Sequence, residues 1–149
     1  MRRGEVILSR NYKFSDGTIA KKFLIVLNEG TLNDPHLLLL TTSQQWKRNA
    51  SPGCYAKENY FVIKENNDWF DKITWVLFDP IIEYNFKKEL EEHFKQNLES
   101  KALLKQETIR AIINCLKQSD DITSYQISLL EEKILTMQNK IEAVIVEKK

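Results

Sequence analysis

Lys21-Lys22-Phe23-Leu24-Ile25-Val26-Leu27-Asn28-Glu29-Gly30 is the stretch whose reading decides the fold. Its apolar run, Phe23 to Leu27, is bounded by charge in front and a turn signal behind. That is the length of a strand and well short of a membrane span. No polar residue interrupts it, so neither face is left for water, and it predicts a strand buried on both sides. The same pattern recurs outward along the chain. Leu37-Leu38-Leu39-Leu40-Thr41-Thr42 follows Asn33-Asp34-Pro35; the proline in front and the threonines behind favour a strand over the helix that leucines alone permit. Glu5 to Leu8, Tyr60 to Ile63 and Thr74 to Phe78 are further runs of strand length. Asp16-Gly17, in the polar segment before the second run, is a turn signal.

From about Asn85 the period changes from two to 3.6. Phe86, Leu90, Phe94 and Leu98 recur every four residues with charge between them, which predicts an amphipathic helix. A second helix is expected from Gln106 to about Lys117, burying Ile109, Ile112, Ile113 and Leu116. A third starts at Thr123, where Gln126 completes a capping box. Ile127, Leu130, Ile134, Met137, Ile141 and Val144 then follow as a heptad seam. Such a seam serves self-association, a partner, or packing on the chain's own domain, and Leu129, Leu135, Ile145 and Val146 widen it toward a docked helix. Five or six strands followed by three helices describe an α+β domain that is mainly β.

The 149 residues, 42% hydrophobic and 29% charged, fit one globular domain with enough core to fold without disulfides or a metal. Cys54 and Cys115 accordingly read as free thiols of a reducing compartment. No apolar window approaches 18 residues, and Met1 to Glu5 runs into alternating residues and not into a signal core, so a soluble, cytoplasmic protein with no membrane contact is expected. The net charge of +1 hides an asymmetry. Residues 1–64 carry +5, residues 65–79 carry −3, residues 80–118 carry +1 and residues 119–149 carry −2.

Several chemistries lose their weight at once. There is no glycine-rich phosphate loop, no His-Glu-x-x-His, no Gly-x-Ser-x-Gly and no His/Cys cluster of ligand spacing. His93 sits on a charged helix face and reads as solvated; His36, before a buried strand, is a candidate for proton transfer with no visible partner. Cys54 follows Ser51-Pro52-Gly53, with no histidine nearby to activate it as a nucleophile. What remains are cations and hydroxyls at strand ends: Arg2, Arg3, Arg10, Lys21 and Lys22, then Thr41, Thr42, Ser43, Gln44, Lys47 and Arg48, with Trp46 among them. Lysine and arginine supply charge for phosphates, hydroxyls and amides supply fixed donors, and an indole supplies a stacking face for an unpaired base.

The order of these elements resembles the MazF/PemK (CcdB-like) toxins of bacterial toxin-antitoxin systems. The resemblance rests on Arg3-Gly4-Glu5-Val6, a glycine-containing loop, the basic pair before Phe23 to Leu27, and an apolar strand ending in Thr42-Ser43-Gln44. Asp71 to Asp79 is similar to the family's late strand and Leu104 to Ser119 to its terminal helix, so the likeness covers residues 1–119. It implies an SH3-like small barrel with appended helices, a homodimer, and metal-independent cleavage of single-stranded RNA through the 2′-hydroxyl, with no cofactor and an antitoxin peptide as silencing partner. It places the catalytic groups on Lys21 and Thr42, with Ser43 the register alternative; the strand-end residues give the expected RNA contacts, Arg3, Arg10, Lys22, Gln44, Trp46, Lys47 and Arg48. The family has an arginine before a proline where this chain has Lys21-Lys22. Lysine offers a point charge without arginine's bidentate fork, so an inactive barrel that binds a partner through its last helix is the alternative function. Residues 120–149 extend beyond the family's usual end and form the expected partner or self-association segment.

Overall fold

The two apolar runs lie side by side at the centre of one antiparallel sheet. The structure, a computed structural model, describes residues 1–131. It contains β1 (Glu5–Lys13), β2 (Ile19–Val26), β3 (His36–Thr42), β4 (Gly53–Tyr55), β5 (Tyr60–Ile63), β6 (Thr74–Tyr84), α1 (Phe86–Phe94), β7 (Leu98–Leu103) and α2 (Gln106–Lys117), with a third helix, α3, beginning at residue 124. The strands form one seven-stranded sheet in the order β4-β5-β6-β3-β2-β1-β7. The protein is therefore α+β and mainly β.

Burial on both faces of β2 and β3 is what the unbroken runs predict. Register pairs Leu24 with Leu40, Ile25 with Leu39 and Val26 with Leu38, so successive pairs point to opposite faces. Ile25, Leu27, Leu37 and Leu39 join Val6, Val76 and Phe78 in a first core closed by Ile109, Ile112, Ile113 and Leu116 of α2. Leu24, Val26, Leu38 and Leu40 join Ile7 and Tyr84 in a second core on the other face. Burial there pushes the Tyr84 phenol up to about 12. Each of these fully buried aliphatic side chains contributes roughly 1.5–3 kcal/mol, which is why polar residues are missing from the runs. Gly4, with φ +88°, extends the pairing of β1 to both of its neighbours: its N–H donates to the Val26 carbonyl of β2 (2.7 Å) and its carbonyl accepts from the Leu104 N–H after β7 (2.8 Å). A side chain there would be strained by the left-handed backbone.

The sequence reading needs two corrections. First, the four-residue period from Phe86 does not continue to Leu98. Asn85 caps α1 by accepting the Lys88 N–H (2.7 Å), and the helix ends at Phe94. Residues Leu98–Leu103 instead become β7, because β1 still has a free edge to pair with them. Tertiary pairing thus overrides the local period, and Phe86, Leu90 and Phe94 stand 51%, 40% and 77% exposed. The runs of strands and helices are consequently interleaved, and β4 and β7 are strands that the pattern missed.

Second, Cys54 and Cys115 are joined in a disulfide. β4 pairs with β5 and α2 lies against both, which brings the two Cα atoms to 5.6 Å. The argument for a reducing compartment loses its premise. Of the roles open to the last helix, the described part of α3 takes packing on its own domain. The Thr123/Gln126 capping box forms in both directions, at 3.0 and 3.1 Å. Gln126 also reaches Glu83 (3.1 Å), Lys117 pairs with Glu131 (2.6 Å), and Leu129 and Leu130 are buried in the first core. Leu130 is therefore not free for a partner, and Ile127 is half-buried. Ile134, Met137, Ile141 and Val144 lie outside the described residues. Among the described residues no helix is long and apolar enough to cross a membrane.

The disulfide spans 61 positions of sequence, and the chain-entropy account gives such a cross-link about 4 kcal/mol. Cys54 is exposed, so Cys54→Ser removes the cross-link without opening the core. Urea titration is expected to find this variant about 2–4 kcal/mol less stable than the oxidised protein. An unchanged midpoint, with two titratable thiols in the native protein, would contradict the pairing.

Candidate functional site

β2 and β3 stop pairing after Leu24 and Leu40, and the strand ends beyond that pair separate. The Phe23 carbonyl then has no backbone donor across the gap. The hydroxyl of buried Thr41 supplies one, donating to it at 2.9 Å. The separation opens a groove of about 370 Å³ lined by Lys21, Lys22 and Phe23 of β2, Thr41 to Gln44 after the ladder, and Phe70, Asp71, Lys72 and Thr74 at the start of β6. Six of the residues singled out from sequence thus meet in one place: Lys21, Lys22, Thr41, Thr42, Ser43 and Gln44.

Alternation along the strands sorts them further. Lys21 follows the parity of Phe23 and Ile25, on the face of the first core with Thr41. Lys22 follows Leu24 and Val26, on the second face with Thr42, and its ammonium sits 5.8 Å from the centre of the Phe14 ring. Lys21 and Thr42 therefore approach the groove from opposite faces, whereas Lys22 and Thr42 share one. The two threonines also differ in availability. Thr41 is 4% exposed and engaged with Phe23, while Thr42 is half-buried and its hydroxyl accepts only the Gln44 N–H, at 3.2 Å.

The loop after β3 continues the groove's rim. Trp46 is 79% exposed in the left-handed region (φ +49°), with the Lys47 ammonium 5.8 Å from its ring. Arg48 closes the loop by donating to the Gln44 carbonyl (3.1 Å), so part of its guanidinium is structural. The other two arginines lie elsewhere. Arg10 pairs with Glu99 of β7, a carboxylate held below its usual value by Lys101 and Arg10. Arg3 is half-buried, and burial, followed by the neighbouring Arg110, lowers its pKa. Neither lines the groove.

His36 is not part of the groove either. It is buried at the far end of β3, with Nδ1 2.7 Å from Glu89 of α1 and Nε2 3.2 Å from the Met1 carbonyl. The partner that the sequence did not reveal is this glutamate, 53 positions away. His93 is exposed on α1. Among the described residues no cluster of three or more His, Cys, Asp or Glu is arranged to hold a metal ion.

Sequence reasoning passed over the far wall. Residues 65–79 drew notice for their charge of −3 and the strand from Thr74, with no site residue among them, yet Phe70, Asp71, Lys72 and Thr74 line the groove. Trp69 packs its ring against Phe23, with centroids 5.1 Å apart. Two adjacent aromatic residues inside a polar loop were the available signal. Set against family models, curated proteins and solved structures, the chain matches none.

The two threonines should separate in a stability measurement. Thr41→Val leaves the Phe23 carbonyl without its donor and is expected to cost about 1–3 kcal/mol. Thr42→Val is expected to stay within about 0.5 kcal/mol of the parent. Thermal or urea unfolding of the two variants checks this, and equal losses would contradict the assignment.

Proposed function

We propose that the chain is an endoribonuclease of the MazF/PemK toxin kind, binding single-stranded RNA in the groove at the separated ends of β2 and β3 and cleaving it without a metal. In this reading the seven-stranded sheet belongs to an SH3-like barrel. The observation that carries it is the convergence of Lys21, Lys22 and Lys72 with the hydroxyls of Thr42 and Ser43 and the carboxylate of Asp71 around one groove. The lysines supply the charge that favours phosphate binding, and hydroxyls supply oriented donors.

The chemistry needs three things: removal of the 2′-hydroxyl proton, stabilisation of a phosphorane-like transition state, and a proton for the departing 5′-oxygen. The 2′-oxygen forms a bond to the adjacent phosphorus as the bond to the 5′-oxygen breaks. The products are a 2′,3′-cyclic phosphate and a 5′-hydroxyl end. Asp71 is the one carboxylate among the lining residues and serves as the base; Lys22, on the face of Thr42, serves the phosphate charge, with Thr42 donating to a phosphate oxygen. Lys21 supplies charge from the opposite face and is the proton donor to the leaving group.

One observation favours a second reading, a barrel that binds RNA or a partner without cleaving. The groove holds no imidazole and no arginine fork, since His36 is taken up by Glu89 and Arg48 by the Gln44 carbonyl. Mixed-sequence single-stranded RNA incubated with the protein in EDTA distinguishes the two. Cleavage with 2′,3′-cyclic phosphate ends is expected. Thr42→Ala combined with Lys22→Ala is expected to slow it by at least about a hundredfold, the loss of an oriented donor and a phosphate charge together. RNA that is bound and stays intact would support the second reading, and RNA that is neither bound nor cut would remove both.

A further inference from the structure

Trp69 and Trp75 lie six positions apart, and their surroundings separate them. Trp75 is 3% exposed and its indole N–H donates to the Asn49 carbonyl at 2.8 Å, so it is a core residue with its polar tip satisfied. Trp69 is 40% exposed, and its indole N–H has no hydrogen-bond partner among the described residues. A large aromatic surface left in water opposes the hydrophobic effect, which drives such surface out of water wherever the fold allows. Here the fold holds it at the surface. Asp68 accepts the Trp69 backbone N–H with one oxygen (2.9 Å) and the Lys105 backbone N–H, at the start of α2, with the other (3.0 Å). The Lys105 ammonium adds a bond to the Asn67 carbonyl (2.7 Å). The loop is thus anchored to a helix on one side of Trp69. On the other, Phe70 is 7% exposed, with its ring centroid 5.2 Å from that of Trp69. Edge-to-face contact with Phe23 then fixes the indole beside a residue that lines the groove.

We propose that Trp69 is the base-stacking platform of the groove, and that with Lys72 on the adjacent phosphate it makes the site select unpaired strands. This rests on the groove being an RNA site. A base inside a duplex already has both faces covered by its neighbours, so only an unpaired base can place a face on the indole. Lys72 and Lys22 hold the backbone without reading sequence, and Trp69 supplies the part of recognition that does not depend on salt.

The test uses the full chain and three fluorescent probes: an eight-nucleotide single-stranded RNA, the same strand with abasic residues throughout, and a duplex of the same length. To slow turnover, all proteins carry Thr42→Ala. Trp69→Ala is expected to weaken binding of the intact single strand about tenfold, the usual loss for one stacked base. The slope of affinity against salt and the binding of the abasic strand should stay unchanged. Trp69→Phe keeps a ring against Phe23 and is expected to recover most of the affinity, so a loss confined to Trp69→Ala is not a folding defect. Lys72→Ala is expected to weaken intact and abasic strands alike and to flatten the salt slope. If the parent binds the single strand and Trp69→Ala binds it equally well, the stacking proposal is overturned while the groove assignment survives. If Trp69→Ala weakens the abasic strand as much as the intact one, stacking is likewise excluded. A parent that binds none of the probes overturns the groove assignment itself.

Discussion

The structure turns on where the central ladder stops. β2 and β3 pair through Val26, Ile25 and Leu24 with every side chain buried on one face or the other. A strand pair with two dry faces cannot carry polar side chains until the pairing stops. The first residues beyond it are the cations Lys22 and Lys21 on β2, with Lys22 still paired to β1, and the hydroxyls Thr41 and Thr42 on β3, still paired to β6. The hydroxyl of Thr41 on the Phe23 carbonyl closes the ladder where backbone pairing ends. Without that bond the last carbonyl would be half-buried and unsatisfied, at a cost of about 1–3 kcal/mol. The groove is the space that this separation leaves, so its position follows from the length of the apolar runs.

That dependence explains how much was legible in advance. Five consecutive apolar residues with no polar break predicted burial of Phe23 to Leu27, and four leucines predicted the same of β3. Helix α2 was visible because Ile109, Ile112, Ile113 and Leu116 match one helical face, and the Thr123/Gln126 capping box formed as spacing required. The candidate residues at the two strand ends do line one groove. Their sorting was hidden, because parity separates Lys21 from Thr42 and unites Lys22 with it only once the register of both strands is known.

Contacts distant in sequence were invisible for the same kind of reason. Leu98 continued the helical period of Phe86, Leu90 and Phe94, and nothing local disclosed that β1 had an unpaired edge waiting for it. Cys54 and Cys115 lay in segments of different character, and only the packing of α2 on β4 and β5 brought them together. Glu89 beside His36 and Phe23 beside Trp69 belong to this class too. The far wall of the groove was missed because residues 65–79 were weighed by charge, while Trp69 and Phe70 act through ring packing.

The central claim is that single-stranded RNA binds where the ladder opens, and amide chemical-shift mapping tests it most directly. A short single-stranded RNA titrated into isotope-labelled protein carrying Thr42→Ala is expected to move amides in residues 21–23, 41–48 and 69–74. The amides of α1, β7 and the His36 end of β3 should stay in place. Shifts concentrated on α1 or around Arg10 and Glu99, or none at all at saturating RNA, would contradict the account.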